Sequence, residues 1–304
     1  MLKGQLSDSS LRLLRIYKTV VECGGFAAAE AELNISRSAI SLAMSDLEQR
    51  LGLRLCQRGR TGFALTDEGA KVYDSTLQLL GSMETFRTQV NELHNHLRGE
   101  LNIGITDNLV TMPHMRITEA LKSLHTLGPS VKLNIRMIPP KDIELEVLDG
   151  RLHIGAVPEL RPLTGLNYLP LYDELSCLYC SSEHPLFAIP EQELDRKLLS
   201  QQAAVLPAYA QTVAVKEFMR DLKPAASSTD REGIAFLILT GQYIGYLPTH
   251  YAQRWVLEGR MRALLPEELN YSTAYAIITR KGARSNLVVK TFIEQFLKTS
   301  IHQK

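Results

Sequence analysis

Residues 36–66 read SRSAISLAMSDLEQRLGLRLCQRGRTGFALT, and the spacing within this stretch decides the N-terminal fold. Ser36 has the short hydroxyl of a helix N-cap. Ile40, Met44, Leu47 and Leu51 follow at intervals of four, three and four, which puts them on one face of a helix that stops at Gly52. The opposite face, toward the N-terminal end, carries Arg37, Ser38, Ser41 and Ser45. Short hydroxyls let a helix approach another surface closely while one arginine reaches past them, as a recognition helix requires in a major groove. The serines taken alone suit a solvated face equally well. Beyond the helix, Leu53–Arg58 and Phe63–Thr66 flank Gly59-Arg60-Thr61-Gly62, which predicts a short hairpin with Arg58 and Arg60 near its tip. Alone, those arginines would be ordinary turn charges; beside a helix-turn-helix they make a wing suited to phosphates or the minor groove.

Upstream, a helix opens at Ser7/Asp8, carries Leu11, Leu14, Val20 and Val21, and stops at Gly24-Gly25. A second, Ala-rich helix over Phe26–Leu33 ends at Asn34, a residue that tolerates the left-handed stop conformation. Residues 1–66 are therefore read as a winged helix-turn-helix DNA-binding domain.

Residues 67–98 contain no proline and predict one helix of about 32 residues, roughly 48 Å long. Val72, Thr76, Leu79, Met83, Phe86, Val90, Leu93 and Leu97 alternate spacings of four and three, a heptad seam. Such a helix either packs along its own chain or pairs with a second copy. Its length exceeds a small domain, so the reading is a linker and dimerisation helix, with Val72, Leu79, Met83, Phe86, Val90, Leu93 and Leu97 at the dimer seam.

From residue 99 to 304 short apolar strands alternate with helices, an α/β texture. The expected strands are Leu101–Ile105, Val131–Ile138, His153–Val157, Asn167–Tyr172, Ser176–Cys180, Ala203–Leu206, Tyr243–Leu247, Arg262–Leu265 and Thr273–Thr279, with a last helix over about 285–301. The first strand runs into Thr106-Asp107-Asn108, a junction where ligands bind in open α/β sheets. Free N–H groups there favour an anion, which Asp107 would repel unless it caps the helix itself. No nucleophile with a base, no phosphate loop and no metal-spaced histidines emerge, so catalytic residues, metal and cofactor are all read as none and the chain as not an enzyme. Cys177 and Cys180 form a CxxC, but the period of two sends them to opposite faces of a strand.

The 304 residues carry 34 Lys and Arg against 33 Asp and Glu, a net charge of +1 that over the whole chain argues against bulk attraction to nucleic acid. Averaging hides the distribution: residues 1–66 hold nine basic and six acidic groups, residues 67–98 three and five, and the remainder 22 of each. The basic excess sits where the winged helix is read. The N-terminus has no apolar signal core and no run approaches a membrane span, which with four cysteines reads as a cytoplasmic protein without membrane contact.

These residues resemble the LysR-type transcriptional regulators. The likeness covers essentially the whole chain and is densest in Gly24-Gly25-Phe26, Ala28-Ala29-Glu30, Ser36 to Ser41, Leu47-Glu48, Leu51-Gly52, Leu55, Arg58 and Leu65-Thr66 with Gly69. Arg37 stands where the family commonly has Gln, which favours guanine over adenine at a base-reading position. His153 stands where the family often has Asp. The resemblance implies a winged helix, a linker helix pairing two protomers, tetramers built from the pairs, and a two-lobed periplasmic-binding-protein-like effector domain. Lobe I covers about 99–170 and 269–304, and lobe II about 171–268. It implies double-stranded DNA held by Ser36, Arg37, Ser38, Ser41, Ser45, Arg58 and Arg60. It likewise implies a small-molecule effector held between the lobes by Thr106, Asn108, Ile138, Pro139, Pro207 and Tyr209. A solute-binding module and an α/β enzyme are the rival readings of residues 99–304; the basic winged segment counts against the first and the missing catalytic set against the second.

Overall fold

The computed structural model describes residues 7–59, 62–92, 97–282 and 286–299. It divides into two compact units, Met1–Phe86 and Arg87–Lys304.

In the first unit, α1 (Asp8–Glu22), α2 (Phe26–Leu33) and α3 (Arg37–Leu51) enclose Leu14, Tyr17, Val20, Ala29, Ile40, Met44 and Leu47. The stops are those the sequence predicts: Asn34 ends α2 and Gly52 ends α3, both left-handed, at φ 53° and 66°. The hairpin forms as β1 (Cys56–Gly59) antiparallel to β2 (Gly62–Leu65). Glu48 ties it to α3, its Oε1 accepting from the Leu55 N–H at 2.8 Å. Thr66 then caps α4 (Asp67–Glu92), accepting from the Gly69 N–H at 2.9 Å and donating to the Arg54 carbonyl at 2.6 Å. Gly69 is required by close approach, since a Cβ there would lie 1.9 Å from the Leu55 carbonyl oxygen. The buried Tyr17 hydroxyl donates to the Gly69 carbonyl at 2.7 Å.

The heptad seam divides along its length. Val72 and Leu79 pack against the core of the winged helix, where Tyr73 meets Tyr17 edge-on at 6.2 Å, and Thr76 is buried. These positions serve the chain's own head, because the first turns of α4 cover α1. Met83 is half-buried, while Phe86 is 68% and Val90 40% exposed. Leu93 lies outside the described residues. Leu97 corrects the expected helix end: it lies beyond α4 and packs into the core of the following domain against Gly128, where a Cβ would come within 2.5 Å of its Cδ2.

The second unit runs through β3 (Gly99–Ile105), α5 (Arg116–Leu127), β4 (Val131–Met137), α6 (Pro140–Asp149), β5 (Ile154–Pro158) and β6 (Leu166–Ser181). It continues with α7 (Arg196–Ser200), β7 (Ala203–Pro207), α8 (Val213–Met219), β8 (Lys223–Ser228), α9 (Arg231–Leu239) and β9 (Ile244–Pro248). The chain closes with α10 (Thr249–Leu257), β10 (Met261–Ala263), β11 (Asn270–Arg280) and α11 (Leu287–Thr299). One nine-stranded sheet has the order β4-β3-β5-β11-β6-β9-β7-β8, with β10 on β6. Strands β4, β3 and β5 are parallel, as are β8, β7 and β9. Between these two sets run the long antiparallel strands β6 and β11, paired from Arg280 with Leu166 to Asn270 with Cys177. They are shared by both lobes. Lobe I buries Leu101, Ile103, Leu124, Phe292 and Phe296; lobe II buries Leu178, Leu199 and Ile244 on one sheet face and Val205, Ile238 and Leu247 on the other.

Three expectations change here. The strands expected at Asn167–Tyr172 and Ser176–Cys180 are one, because the charge of Glu174 between them is met by an arginine and need not leave the sheet. Strand β8 was not expected: KPAASS has no apolar alternation, and as the edge of the sheet it is largely exposed and needs none. The junction after β3 leads into a short turn of 3₁₀ helix at Leu109–Thr111, and α5 begins only at Arg116. Among the described residues no helix is long and apolar enough to cross a membrane.

Candidate nucleic-acid interface and effector cavity

The outer face of α3 is built by the cap and period read from sequence. The Ser36 Oγ accepts from the Ala39 N–H at 3.3 Å and lies 3.0 Å from the Ser38 Oγ, so its hydroxyl serves the helix end first. Arg37, Ser38 and Ser45 are exposed and Ser41 is half-buried. Leu42 lies among them, 73% exposed, and the sequence reading passed over it. Its signal was its place outside the apolar row of Ile40, Met44, Leu47 and Leu51: a lone leucine on a polar face, of the kind that meets a thymine methyl. Arg58 belongs to β1 opposite Phe63, with its side chain outside the described residues; Arg60 lies outside them altogether.

In the second unit a cavity of about 390 Å³ opens at the C-terminal ends of the parallel strands of both lobes. Thr106 and Asn108 follow β3, Ile138 and Pro139 follow β4, and Tyr209 follows β7; all five are on its wall. Pro207 is not: it closes β7 two residues before the chain reaches the cavity. The sequence reading missed the floor, supplied by Glu174 and Ser176 from β6 and Tyr271, Thr273 and Tyr275 from β11, and missed Arg231 at the start of α9. Only the pairing of β6 with β11 brings these residues under the two lobes.

Arg231 organises the site. Its Nη1 donates to the Asp107 Oδ1 at 2.6 Å, and its Nη2 to the Glu174 Oε1 at 2.7 Å and the Tyr275 hydroxyl at 2.5 Å. The main-chain N–H of Arg231 donates to the other Asp107 oxygen at 2.7 Å. Asp107 therefore does cap a helix, but the helix belongs to lobe II. On the far side of Glu174, its Oε2 lies 3.2 Å from the His250 Nε2, and the His250 Nδ1 lies 2.7 Å from the Thr111 Oγ1 of lobe I. Asp107 and Thr111 of lobe I thus meet Arg231 and His250 of lobe II on either side of one fully buried carboxylate. Burial opposes the charge on Arg231, yet Tyr275, Glu174, Tyr209 and Asp107 outweigh it and hold the guanidinium pKa well above its ordinary value. The tyrosine hydroxyls are held protonated by burial, that of Tyr209 pushed up to about 12.

His153 and the CxxC also find their places. The His153 Nδ1 accepts from the Asn102 main-chain N–H at 3.0 Å while the His153 main-chain N–H donates to the Asn102 carbonyl at 2.9 Å, extending the β3–β5 ladder. Burial lowers its pKa, against the opposing pull of Glu100. Cys177 and Cys180 occupy separate clusters on opposite faces of β6, and burial raises both thiols, Cys180 to about 11.

Residues 11–70 match the family model described as bacterial regulatory helix-turn-helix protein, lysR family, and residues 94–300 match that of the LysR substrate binding domain. The chain belongs to the LysR family. It is 57% identical over 291 residues to the HTH-type transcriptional activator BauR of Pseudomonas aeruginosa, covering 96% of this chain and 95% of that protein. It is 28% identical over 289 residues to the SDS degradation transcriptional activation protein of a Pseudomonas species, covering 90% and 91%. Among solved structures, full-length CbnR in complex with its target DNA has the same fold, with a TM-score of 0.68 at 18% identity over 95% of this chain and 99% of that one.

Proposed function

We propose that the protein is a sequence-specific DNA-binding transcriptional regulator, acting as an activator, whose promoter binding answers to a small molecule held in the interlobe cavity. The observation that carries this is the presence in one chain of an exposed Arg37, Ser38, Leu42 and Ser45 face on a capped helix and of a 390 Å³ cavity bridged by an interlobe ion pair. The sign of regulation rests on the 57% identical activator. Arg37, Ser38, Ser41 and Ser45 read base edges, with Ser36 fixing the helix N-terminus; Arg58 and Arg60 contact phosphates or the minor groove. Phe86 and Val90, exposed along α4, form the seam of a homodimer, and pairs of dimers make the tetramer. Thr106, Asn108, Ile138, Pro139 and Tyr209 contact the effector. The protein works in the cytoplasm and catalyses no reaction.

The mechanism is linkage: a ligand that prefers one arrangement of the lobes shifts the population of that arrangement and with it the DNA-competent state. A mobility shift of the full chain on its own upstream DNA, with and without metabolite pools, tests the proposal. Specific retardation that a pool alters is expected, and no retardation at low salt overturns it.

A further inference from the structure

We propose that the cavity takes a ligand bearing a positively charged amine and excludes simple carboxylates. The inference rests on the reading of the cavity as the effector site and assigns the chemistry of what enters it.

Four carboxylates, those of Asp107, Glu174, Asp230 and Glu232, line the cavity against one guanidinium, that of Arg231. The count alone decides little; the state of the donors decides more. An anion would seek the Arg231 guanidinium or the N-terminus of α9, and the protein's own carboxylates hold both. Asp107 takes the Arg231 main-chain N–H and Nη1, Glu174 and Tyr275 take Nη2, and Asp230 takes the Gly233 N–H at 2.7 Å. An incoming carboxylate would have to displace Asp107 while facing the remaining acidic groups.

One unsatisfied group can serve a cation. The Tyr246 hydroxyl, on a residue 4% exposed at the cavity wall, has no hydrogen-bond partner and offers oxygen lone pairs. The floor adds the Tyr271 ring, and aromatic faces attract ammonium groups. Glu232 is exposed at the rim. Acceptors, ring faces and excess negative charge converge where Asp107, Glu174 and Tyr275 already take three of the Arg231 side-chain hydrogens, so an ammonium group meets attraction where a carboxylate meets mostly like charge.

The test measures the thermal unfolding midpoint of the full-length protein with n-butylammonium, butyrate and 1-butanol at matched ionic strength. n-Butylammonium at about ten times its Kd is expected to raise the midpoint by roughly 3–5 °C, with the other two inert. A rise with butyrate alone overturns the proposal and leaves an effector cavity standing. A rise with none of the three also overturns it, and the metabolite-pool mobility shift then judges the cavity separately. Asp107→Asn removes the negative charge and one of the two oxygens that hold the Arg231 donors, and is expected to lose the amine response and gain one to butyrate, each against its own baseline. Glu232→Gln, a change at an exposed position that leaves the fold intact, is expected to weaken the amine response severalfold. An undiminished amine response in both variants places the binding elsewhere and overturns the assignment.

Discussion

The Asp107 carboxylate at the end of β3 accepts from Arg231 twice, from the main-chain N–H at 2.7 Å and from Nη1 at 2.6 Å, and so joins lobe I to the first residue of α9. One side chain caps a helix and pairs a guanidinium across the cleft. Asp107→Ala removes both contacts and leaves a buried arginine with Glu174 and Tyr275 only. The effector domain should lose about 1–3 kcal/mol, the usual cost of orphaning buried donors. Urea unfolding reads this as a lower midpoint at unchanged slope; an unaltered midpoint would show that solvent fills the Asp107 position at no cost.

Arg37 and Arg58 should fail in different ways. Arg37→Ala is expected to relax discrimination at one base pair by about 1–3 kcal/mol if the exposed Arg37 reads bases as proposed, since a guanidinium pairs with guanine O6 and N7. Arg58→Ala should weaken binding to all sequences alike and reduce the slope of log K against log salt by about 1. Binding titrations on specific and scrambled duplexes across a salt series separate the two. Uniform weakening by Arg37→Ala would make it a phosphate contact, and an unchanged slope for Arg58→Ala would remove the wing from the interface.

Position along α4 predicts opposite consequences for one kind of substitution. Phe86, 68% exposed, should tolerate Asp with little loss of monomer stability but a clear shift toward monomer in sedimentation. Val72, packed against the core of the head, should instead destabilise that unit when changed to Asp, because a charge is driven into apolar surroundings. If Phe86→Asp leaves the oligomer intact, the seam lies elsewhere.

What was legible in the sequence follows from the range of the forces involved. Caps and stops at Ser36, Asn34 and Gly52 act within a turn or two, and α1 to α3 form where their signals stand. The heptad row was visible but its partner was not, since Val72 and Leu79 satisfy the same spacing whether they meet a second chain or α1. On the cavity wall, Thr106, Asn108, Ile138, Pro139 and Tyr209 follow strand ends, which local pattern marks. Arg231 and Glu174 lie 57 positions apart, and a carboxylate within a strand reads as a break until its partner is known. Pro207 fails for the opposite reason: it too follows the pattern, but the chain turns into the cavity only after it.

His153 gives the domain a dependence on pH whose sign follows from its surroundings. Burial lowers its pKa below the ordinary value of 6.5, and the neutral ring is the form whose Nδ1 accepts from the Asn102 N–H. Below about pH 6.5 the unfolded chain therefore binds a proton that the folded domain refuses, and stability must fall with pH until the folded pKa is reached. Above the ordinary value neither state is protonated and the contribution is fully present. His184, also lowered by burial, adds a slope of the same sign, so the informative quantity is the difference between the parent protein and His153→Asn. Asn offers Asn102 a carbonyl acceptor without a titrating ring. The variant should show a flatter decline in urea midpoint between about pH 7.5 and about pH 5.5. Parallel declines would mean that His153 leaves the ladder to be protonated at no cost.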